Sequence, residues 1–264
     1  TVFGKTGLGR DVIGTAATIA GLTADDIEGW FRGRYRRSSI VVAAAGAVDH
    51  DELVAEVEQR WQVAGPDAHR EFGAEWQSTR RATLARDSEQ AQIMIAFPGL
   101  RFGDDRRYAT AIGNQVFGGG LSSRLFQRIR EQRGLAYSVY SGSVSFADTG
   151  MVVIGGATAS ERLDELEEAL RREILDVVDN GISESELQTA KDAIAGSYEL
   201  SFDDVSSRMS QLGATVLHED RLPDNDGDIE RVLGLSRNEV NDTFSALISA
   251  QDTTVVVGPN TSKP

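Results

Sequence analysis

Three histidines are the side chains of this chain best suited to bind a metal or to act as a general base near neutral pH. His50, His69 and His218 lie far apart, in the segments HDELV, HREFG and HEDRL. None of them completes the H-x-x-E-H or H-E-x-x-H pattern that places two imidazoles on one helix face. The chain has no cysteine, which excludes disulfides, thiolate nucleophiles and sulfur-bound metals. We therefore predict that these residues hold no zinc.

Other patterns that could carry chemistry are incomplete. Gly118-Gly119-Gly120 lacks a following Walker lysine and the glycine spacing of a dinucleotide fingerprint, so a loop that ends a helix is the better interpretation. GLSSR ends in arginine and is not a G-x-S-x-G nucleophile elbow. DNDGDIE has its glycine at the wrong position for a calcium loop, which predicts a solvated turn.

Composition excludes two classes of partner. The net charge is −14 and the isoelectric point is about 4.7, with no basic run interleaved with aromatic residues. A nucleic-acid partner is therefore not expected, because phosphate backbones require a basic surface. No segment of the sequence approaches the ~18 consecutive apolar residues of a membrane-spanning helix, so no membrane partner is expected.

A distant internal repeat is the most informative feature of the chain's organisation. Gly21-Leu22-Thr23, Asp26-Ile27 and Phe31 recur at constant spacing as Gly234-Leu235-Ser236, Glu239-Val240 and Phe244. Each copy contains a capping box, which begins a helix, and an apolar pair four residues apart, which faces one side of that helix. Each is followed by a short β-branched run, at 40–45 and 253–257, which predicts a strand.

The repeat predicts how the chain divides. The second copy closes a complete domain, whereas the first has only about twenty residues before it. We expect residues 1–65 to be the C-terminal remnant of a preceding domain, 66–80 to be a linker and 81–264 to be a complete domain homologous to the first.

Local patterns predict an α+β fold, a mostly antiparallel sheet flanked by helices. Strands are predicted at 39–46, 81–86 and 90–97, with a hairpin formed by 137–146 and 151–158. Helices are predicted at 23–36, 50–62, 106–117, from Ser122 or Ser123 to Arg130, and from 183 to about 218. A further helix carries Leu163, Leu166, Leu170, Ile174 and Val177 on one stripe.

The stretch GGGLSSRLFQRIREQRGLAYSVYSG, with AQIMIAFPG before it, resembles the C-terminal domain of insulinase/pitrilysin-type zinc metallopeptidases. GKTGLGRDVIGT and YRRSSIVVAAAGAVDHDEL resemble the end of the N-terminal domain of that family. The resemblance covers nearly the whole chain and is strongest to bacterial processing-peptidase-like members, which are related to mitochondrial processing peptidase. Thr6-Gly7, Arg37 and Ser39 depart from the family's usual residues.

The resemblance implies a function and a site. Two homologous α+β domains would enclose a chamber in which a peptide substrate is cleaved, and zinc would be bound by upstream residues outside this chain. Arg130 and Tyr137 match the family's substrate-binding and catalytic pair. Gly118, Gly119 and Gly120 are expected to contact substrate. This chain alone is expected to be inactive.

The resemblance also implies partners. We expect the missing N-terminal segment or a zinc-bearing subunit, in a homodimer or heterodimer, and a bacterial cytoplasmic location. The alternative is a non-catalytic partner subunit of a heterodimeric peptidase that contributes only the Arg/Tyr pair. A nucleotide-binding module that uses the glycine loop is a third hypothesis, and the missing Walker lysine argues against it.

Overall fold

The computed structural model describes residues 1–36, 39–61, 73–77 and 81–259. The chain forms two compact units. The sheet unit comprises Thr1–Gly9, Ala74–Tyr198 and Asn225–Pro264, and the helical unit comprises Arg10–Gly73 and Glu199–Asp224. Most of the predicted linker 66–80 lies outside the described residues. The predicted division into domains 1–65 and 81–264 therefore stays a prediction.

The sheet unit is built on a five-stranded mixed sheet with the order β1-β5-β2-β4-β3. The strands are β1 Arg81–Ala85, β2 Gln90–Pro98, β3 Ser138–Ser145, β4 Gly150–Ala159 and β5 Thr253–Gly258. β1 runs parallel to β5, and the other neighbours are antiparallel. The predicted hairpin is present as β3 and β4, and β3 is an edge of the sheet. The α+β prediction is confirmed.

Nine α-helices and a π-helix occur within the described residues. The α-helices are α1 Ala16–Ala20, α2 Ala24–Arg34, α3 His50–Arg60, α4 Arg107–Gly118, α5 Leu163–Asn180, α6 Glu184–Ser201, α7 Val205–Glu219, α8 Asn225–Gly234 and α9 Arg237–Ile248. The π-helix is Phe126–Glu131, and short 3-10 helices occur at Gly7–Gly9 and Ser160–Arg162. In this described part, no helix has both the length and the apolarity needed to cross a membrane.

The core of the sheet unit follows the predicted periodicities. Alternate residues at the start of β2, Ala91, Ile93 and Ile95, are buried, while Gln92 and Met94 between them are exposed. The predicted stripe of α5 is buried along its whole length, in the same apolar cluster. Each such side chain stabilises the fold by roughly 1.5–3 kcal/mol through removal of apolar surface from water. The core thus fixes one face of the sheet against the helices.

Helix α4 approaches the edge strand β3 closely because it ends in glycine. A Cβ on Gly118 would clash with the backbone nitrogen of Ser141 in β3. A buried amide joins the same two elements: Asn114 Nδ2 donates to Ser143 Oγ at 2.8 Å, and the Ser141 hydroxyl donates to Asn114 Oδ1. The edge strand is therefore held against the helix that ends at the triple glycine.

The acidic segment DNDGDIE is not the solvated turn that its composition predicts. Asn225 begins α8, and Asp226 and Asp228 lie in the first turn of that helix. Carboxylates at this position are stabilised by the partial positive charge of the helix N-terminus, which explains why an acid-rich segment folds as a helix here.

The two copies of the repeat begin alike and then differ. Both predicted capping boxes are present, at Thr23 with Asp26 and at Ser236 with Glu239. The second copy ends in β5, a paired strand. Residues 40–45, the predicted strand of the first copy, form no strand. The physical reason is the lack of a strand beside them among the described residues, since a β-ladder requires a hydrogen-bonded neighbour.

Candidate functional site

Arg130 lies on the π-helix Phe126–Glu131. The wider turn is visible in the backbone, where the N–H of Gln132 donates to the carbonyl of Gln127 at 3.0 Å, five residues back. Buried Ile129 and Leu125 hold this segment against the core. Single-turn π-helices are uncommon and frequently occur at functional sites. The sequence predicts a helix through Arg130, which is present, but no local pattern distinguishes its π geometry.

The structure brings Arg130 and Tyr137 together. The guanidinium carbon of Arg130 lies 4.8 Å from the ring centroid of Tyr137 and 4.7 Å from that of Phe126. Both distances are within the range of a cation–π contact. The Tyr137 side chain is 77% exposed, and the phenol is therefore open to a ligand. Arg130 also has a distant, exposed ion pair with Glu131 at 3.9 Å, which contributes little.

The triple glycine lies at the C-terminal end of α4. Gly118 is buried at the contact with β3, whereas Gly119 is the exposed C-cap and Gly120 is partly exposed. Because Gly119 and Gly120 carry no side chain, their backbone groups can be approached closely by a ligand. The predicted contacts of Gly118, Gly119 and Gly120 with substrate stay predictions.

An ion network around the buried Arg124 fixes the segment that carries Arg130. The guanidinium of Arg124 donates to Glu186 at 2.6 and 2.8 Å, to Asp176 at 3.1 Å and to the carbonyl of Gly181 at 2.8 Å. Arg128, one turn later, donates to Glu173 at 2.6 Å and to Asp176 at 2.7 Å. The start of the π-helix is thereby joined to α5 and to the beginning of α6.

This network is the part of the site that sequence reasoning missed. The box Ser183-x-x-Glu186 identifies Glu186 as a helix cap, and the structure confirms that contact with bonds of 2.7 and 2.9 Å to Ser183. Its second partner, Arg124, lies 62 residues away in the sequence, and no periodic pattern relates positions that distant.

Replacing Glu186 by glutamine is expected to lower the free energy of unfolding by roughly 1.5–3 kcal/mol at pH 7, because Arg124 loses its bidentate charged partner. Urea unfolding of both proteins measures the difference. Glu184→Gln is the matched control: Glu184 is exposed, lies on the same helix and pairs with Arg237 at only 3.8 Å, so its change should stay within about 0.5 kcal/mol. Equal effects of the two changes would contradict the role of the network.

The same pair of variants has a defined pH dependence. Burial raises the pKa of Glu186, but hydrogen bonds from Arg124 and Ser183 outweigh burial and lower the pKa from 4.5 to about 2. A lowered pKa in the folded state contributes stability that is present above the ordinary value and is lost as pH falls toward the folded value. The stability difference between wild type and Glu186→Gln should therefore decrease as pH falls from 4.5 to about 2.

The histidines do not form a metal site in the part of the chain that the structure describes. His50 begins α3 and His218 lies near the end of α7, while His69 is outside the described residues. No group of three or more histidine, aspartate, glutamate or cysteine side chains with metal-binding geometry occurs among the described residues.

The isolated chain is expected to lose zinc on dialysis, because a tight site needs three or four converging ligands. Elemental analysis of the dialysed protein measures the metal. Stoichiometric zinc that survives dialysis would contradict this prediction and would assign a metal site to this chain.

Comparisons with known proteins agree with the fold. Residues 21–194 match the family described as peptidase M16 inactive domain. A chain described as the peptidase M16 inactive domain from Pseudomonas fluorescens superposes with a TM-score of 0.85 at 23% identity, over 100% of this chain and 64% of that one. A chain of complex III2 from Candida albicans gives a TM-score of 0.85 at 19% identity, over 97% of this chain and 64% of that one. Likeness at these identities concerns the fold alone.

Curated relatives are closer in sequence. A protein named "uncharacterized zinc protease" from Mycobacterium tuberculosis is 36% identical over 99% of this chain, and one from Streptomyces coelicolor is 33% identical over 98%. The chain spans 61% and 58% of the lengths of these two relatives.

Proposed function

Since this chain belongs to the peptidase M16 inactive-domain family, we propose that it is the substrate-binding C-terminal part of a zinc metalloendopeptidase. Its substrates are peptides, cleaved in a chamber between two homologous domains. The observation that carries this proposal is the cation–π contact between Arg130 and the exposed Tyr137. Relatives named zinc proteases support the peptidase assignment.

The described residues do not fit a zinc site, so the proposal assigns the metal to a segment outside them. The function of this chain is to bind and polarise the peptide. Hydrolysis places negative charge on the scissile carbonyl oxygen as water adds to the carbon. The guanidinium of Arg130 and the hydroxyl of Tyr137 would both donate hydrogen bonds to that oxygen. Removal of one such donor typically lowers a rate about 10²–10³-fold.

The ring contacts keep Arg130 competent for this role. In a cation–π contact the aromatic ring attracts the positive charge of the guanidinium. The N–H groups of the guanidinium stay able to donate hydrogen bonds to a ligand. The rings of Phe126 and Tyr137 thus orient the cation without occupying all of its donors. Gly119 and Gly120, with no side chains, would accept the backbone of the bound peptide nearby.

The second candidate function is a non-catalytic partner subunit that supplies the Arg/Tyr pair to a zinc-bearing chain. Thr6 and Gly7, which depart from the family's usual residues, favour an unusual member of the family, and such a non-catalytic subunit would be one. An H-x-x-E-H motif encoded upstream in the full gene would assign the parent as an enzyme, and its absence would assign a partner.

The function is tested by a peptidase assay on the intact parent protein with an unstructured peptide. Cleavage should occur, stop when a chelator removes zinc and return when zinc is added. A parent that holds no zinc and cleaves no peptide alone, but supports cleavage after a zinc-bearing subunit is added, would favour the partner subunit. Cleavage that continues in chelator would contradict both candidates.

A further inference from the structure

The connection from Arg130 to Tyr137 folds back on the π-helix at Gly134. Gly134 has a φ of +56°, in the left-handed region that glycine adopts without strain. Its N–H donates to the carbonyl of Arg130 at 3.0 Å, and the N–H of Leu135 donates to the carbonyl of Ile129 at 3.0 Å. These two bonds use the N–H groups of Gly134 and Leu135. The carbonyl oxygens of the same two residues can accept hydrogen bonds from other donors.

Two side chains from outside the connection supply those donors. The hydroxyl of Thr158 donates to the carbonyl of Leu135 at 2.6 Å, and the guanidinium of Arg162 donates to the carbonyl of Gly134 at 2.8 Å. Thr158 is 4% exposed and Leu135 is 1% exposed. Their hydrogen bond is therefore shielded from water, and loss of the hydroxyl would leave a buried carbonyl without this donor.

The position of these contacts in the sheet explains why they are needed. The ladder between β3 and β4 begins with Ser138 opposite Ala157. Thr158 follows Ala157, at the point where Tyr137 leaves the ladder. The sheet therefore does not fix Tyr137, and the backbone of the connection must set its place relative to Arg130.

We propose that Thr158 and Arg162 are positioning residues that hold the Arg130–Tyr137 connection and so set the place of Tyr137 relative to Arg130. This inference rests on the proposed peptidase function. A misplacement of about 1 Å at a reacting centre can lower turnover on the order of 10²-fold even when the substituted residue touches no substrate.

The test uses the intact, zinc-loaded parent protein. Thr158→Val should lower kcat about tenfold while KM changes less than about twofold, and Thr158→Ser, which retains the hydroxyl, should restore the rate. Because Thr158 would act through Tyr137, adding Thr158→Val to Tyr137→Phe should slow the enzyme no further. Arg162→Ala, at a partly exposed position where we expect the fold to be retained, should lower kcat about threefold or more.

Two matched controls separate positioning from stability. Thr110 is 3% exposed and its hydroxyl donates to the carbonyl of Arg106 at 3.0 Å, so Thr110→Val removes a bond of the same type from a similarly buried side chain away from the connection. Arg172 pairs with Glu168 at 2.6 Å on the exposed face of α5, and Arg172→Ala is the control for Arg162. Both controls should retain wild-type kcat.

Each outcome is decisive. If Tyr137→Phe lowers kcat but Thr158→Val behaves like Thr110→Val, or if the double variant is additive, the positioning role is wrong and the proposed function stands. If Tyr137→Phe itself cleaves at the normal rate, the proposed role of the pair fails and the inference fails with it.

Discussion

Replacing Arg130 by alanine or Tyr137 by phenylalanine in the intact enzyme is expected to slow peptide cleavage by roughly ten- to a thousandfold. Each change removes one hydrogen-bond donor from the place where negative charge develops on the peptide carbonyl. The guanidinium carbon lies 4.8 Å from the centroid of the Tyr137 ring, and in the proposed role both side chains donate to the same carbonyl oxygen. The measurement is kcat/KM on a defined peptide, with circular dichroism to show that the fold is retained.

Zinc content should be unchanged in both variants, because neither residue is proposed as a ligand. Arg133→Ala is the control for charge, since Arg133 is exposed and lies three residues beyond Arg130. Tyr198→Phe is the control for loss of a phenol, since the Tyr198 hydroxyl bonds to Asn225 at 3.1 Å, within the helices. Normal cleavage by both Arg130→Ala and Tyr137→Phe would show that the roles inferred from the family do not apply.

The elements around this pair could be predicted from local patterns. The stripe of α5, the hairpin of β3 and β4, and the three capping boxes depend on residues within a few positions of each other, where periodicity and hydrogen-bond geometry determine the structure. The buried alternation of β2 follows from the same logic. Local patterns therefore predicted the architecture of the sheet unit well.

The geometry of the pair could not be predicted in this way. Tyr137 lies seven positions after Arg130, a spacing that a continuous helix would place two turns apart on one face. Instead the chain reverses at Gly134, and the contact depends on the π-turn. Thr158 is 23 residues from its partner Leu135, and Arg124 is 62 residues from Glu186. In the sequence, the family resemblance identifies Arg130 and Tyr137 as a pair, and no local pattern does.

The matching apolar pairs of the two copies of the repeat are buried in the sheet unit and exposed in the helical unit. In the sheet unit, Val240 is 0% and Phe244 is 1% exposed. Val240 is buried in an apolar cluster with residues of α4, α6 and α8, and Phe244 is buried in the cluster that includes residues of β2 and α5. The strand that follows, β5, lies between the parallel strand β1 and the antiparallel strand β2. Their counterparts in α2, Ile27 and Phe31, are 57% and 49% exposed. Residues 40–45, the counterpart of β5, are unpaired in the described part of the chain. By analogy, a parallel strand and an antiparallel strand would complete this unit.

Apolar surface in the helical unit is available for such a partner. Residues 41–44, α3 and α7 line a groove of about 580 Å³, whose walls include Val42, Val54, Leu212 and Val216. Exposed contiguous apolar surface of this kind marks an interaction site or an aggregation risk. We propose that the occupant is the N-terminal zinc-bearing segment that the family resemblance implies, with a zinc-bearing partner subunit as the alternative occupant.

Co-expressing that N-terminal segment as a separate polypeptide is expected to restore solubility, zinc binding and peptidase activity together. Without it, limited proteolysis should remove residues before about 80 and leave the rest of the sheet unit intact, because a partly built sheet domain opens readily. The measurements are zinc content, peptide cleavage and mass spectrometry of the proteolytic fragments. Restored solubility without zinc or activity would contradict the assignment of the metal to that segment.

The repeat also supplies a matched pair of variants for this prediction. Phe244→Ala should lower the free energy of unfolding of the chain alone by roughly 3–5 kcal/mol, because it empties a fully buried site. Phe31→Ala should change it by less than about 0.5 kcal/mol in the chain alone, because that side chain is half exposed, yet it should weaken binding of the N-terminal segment strongly. If residues 1–65 resist protease in a monomeric, uncomplexed sample, or if Phe31→Ala leaves that binding unchanged, the helical unit is a domain in its own right and needs no partner sheet.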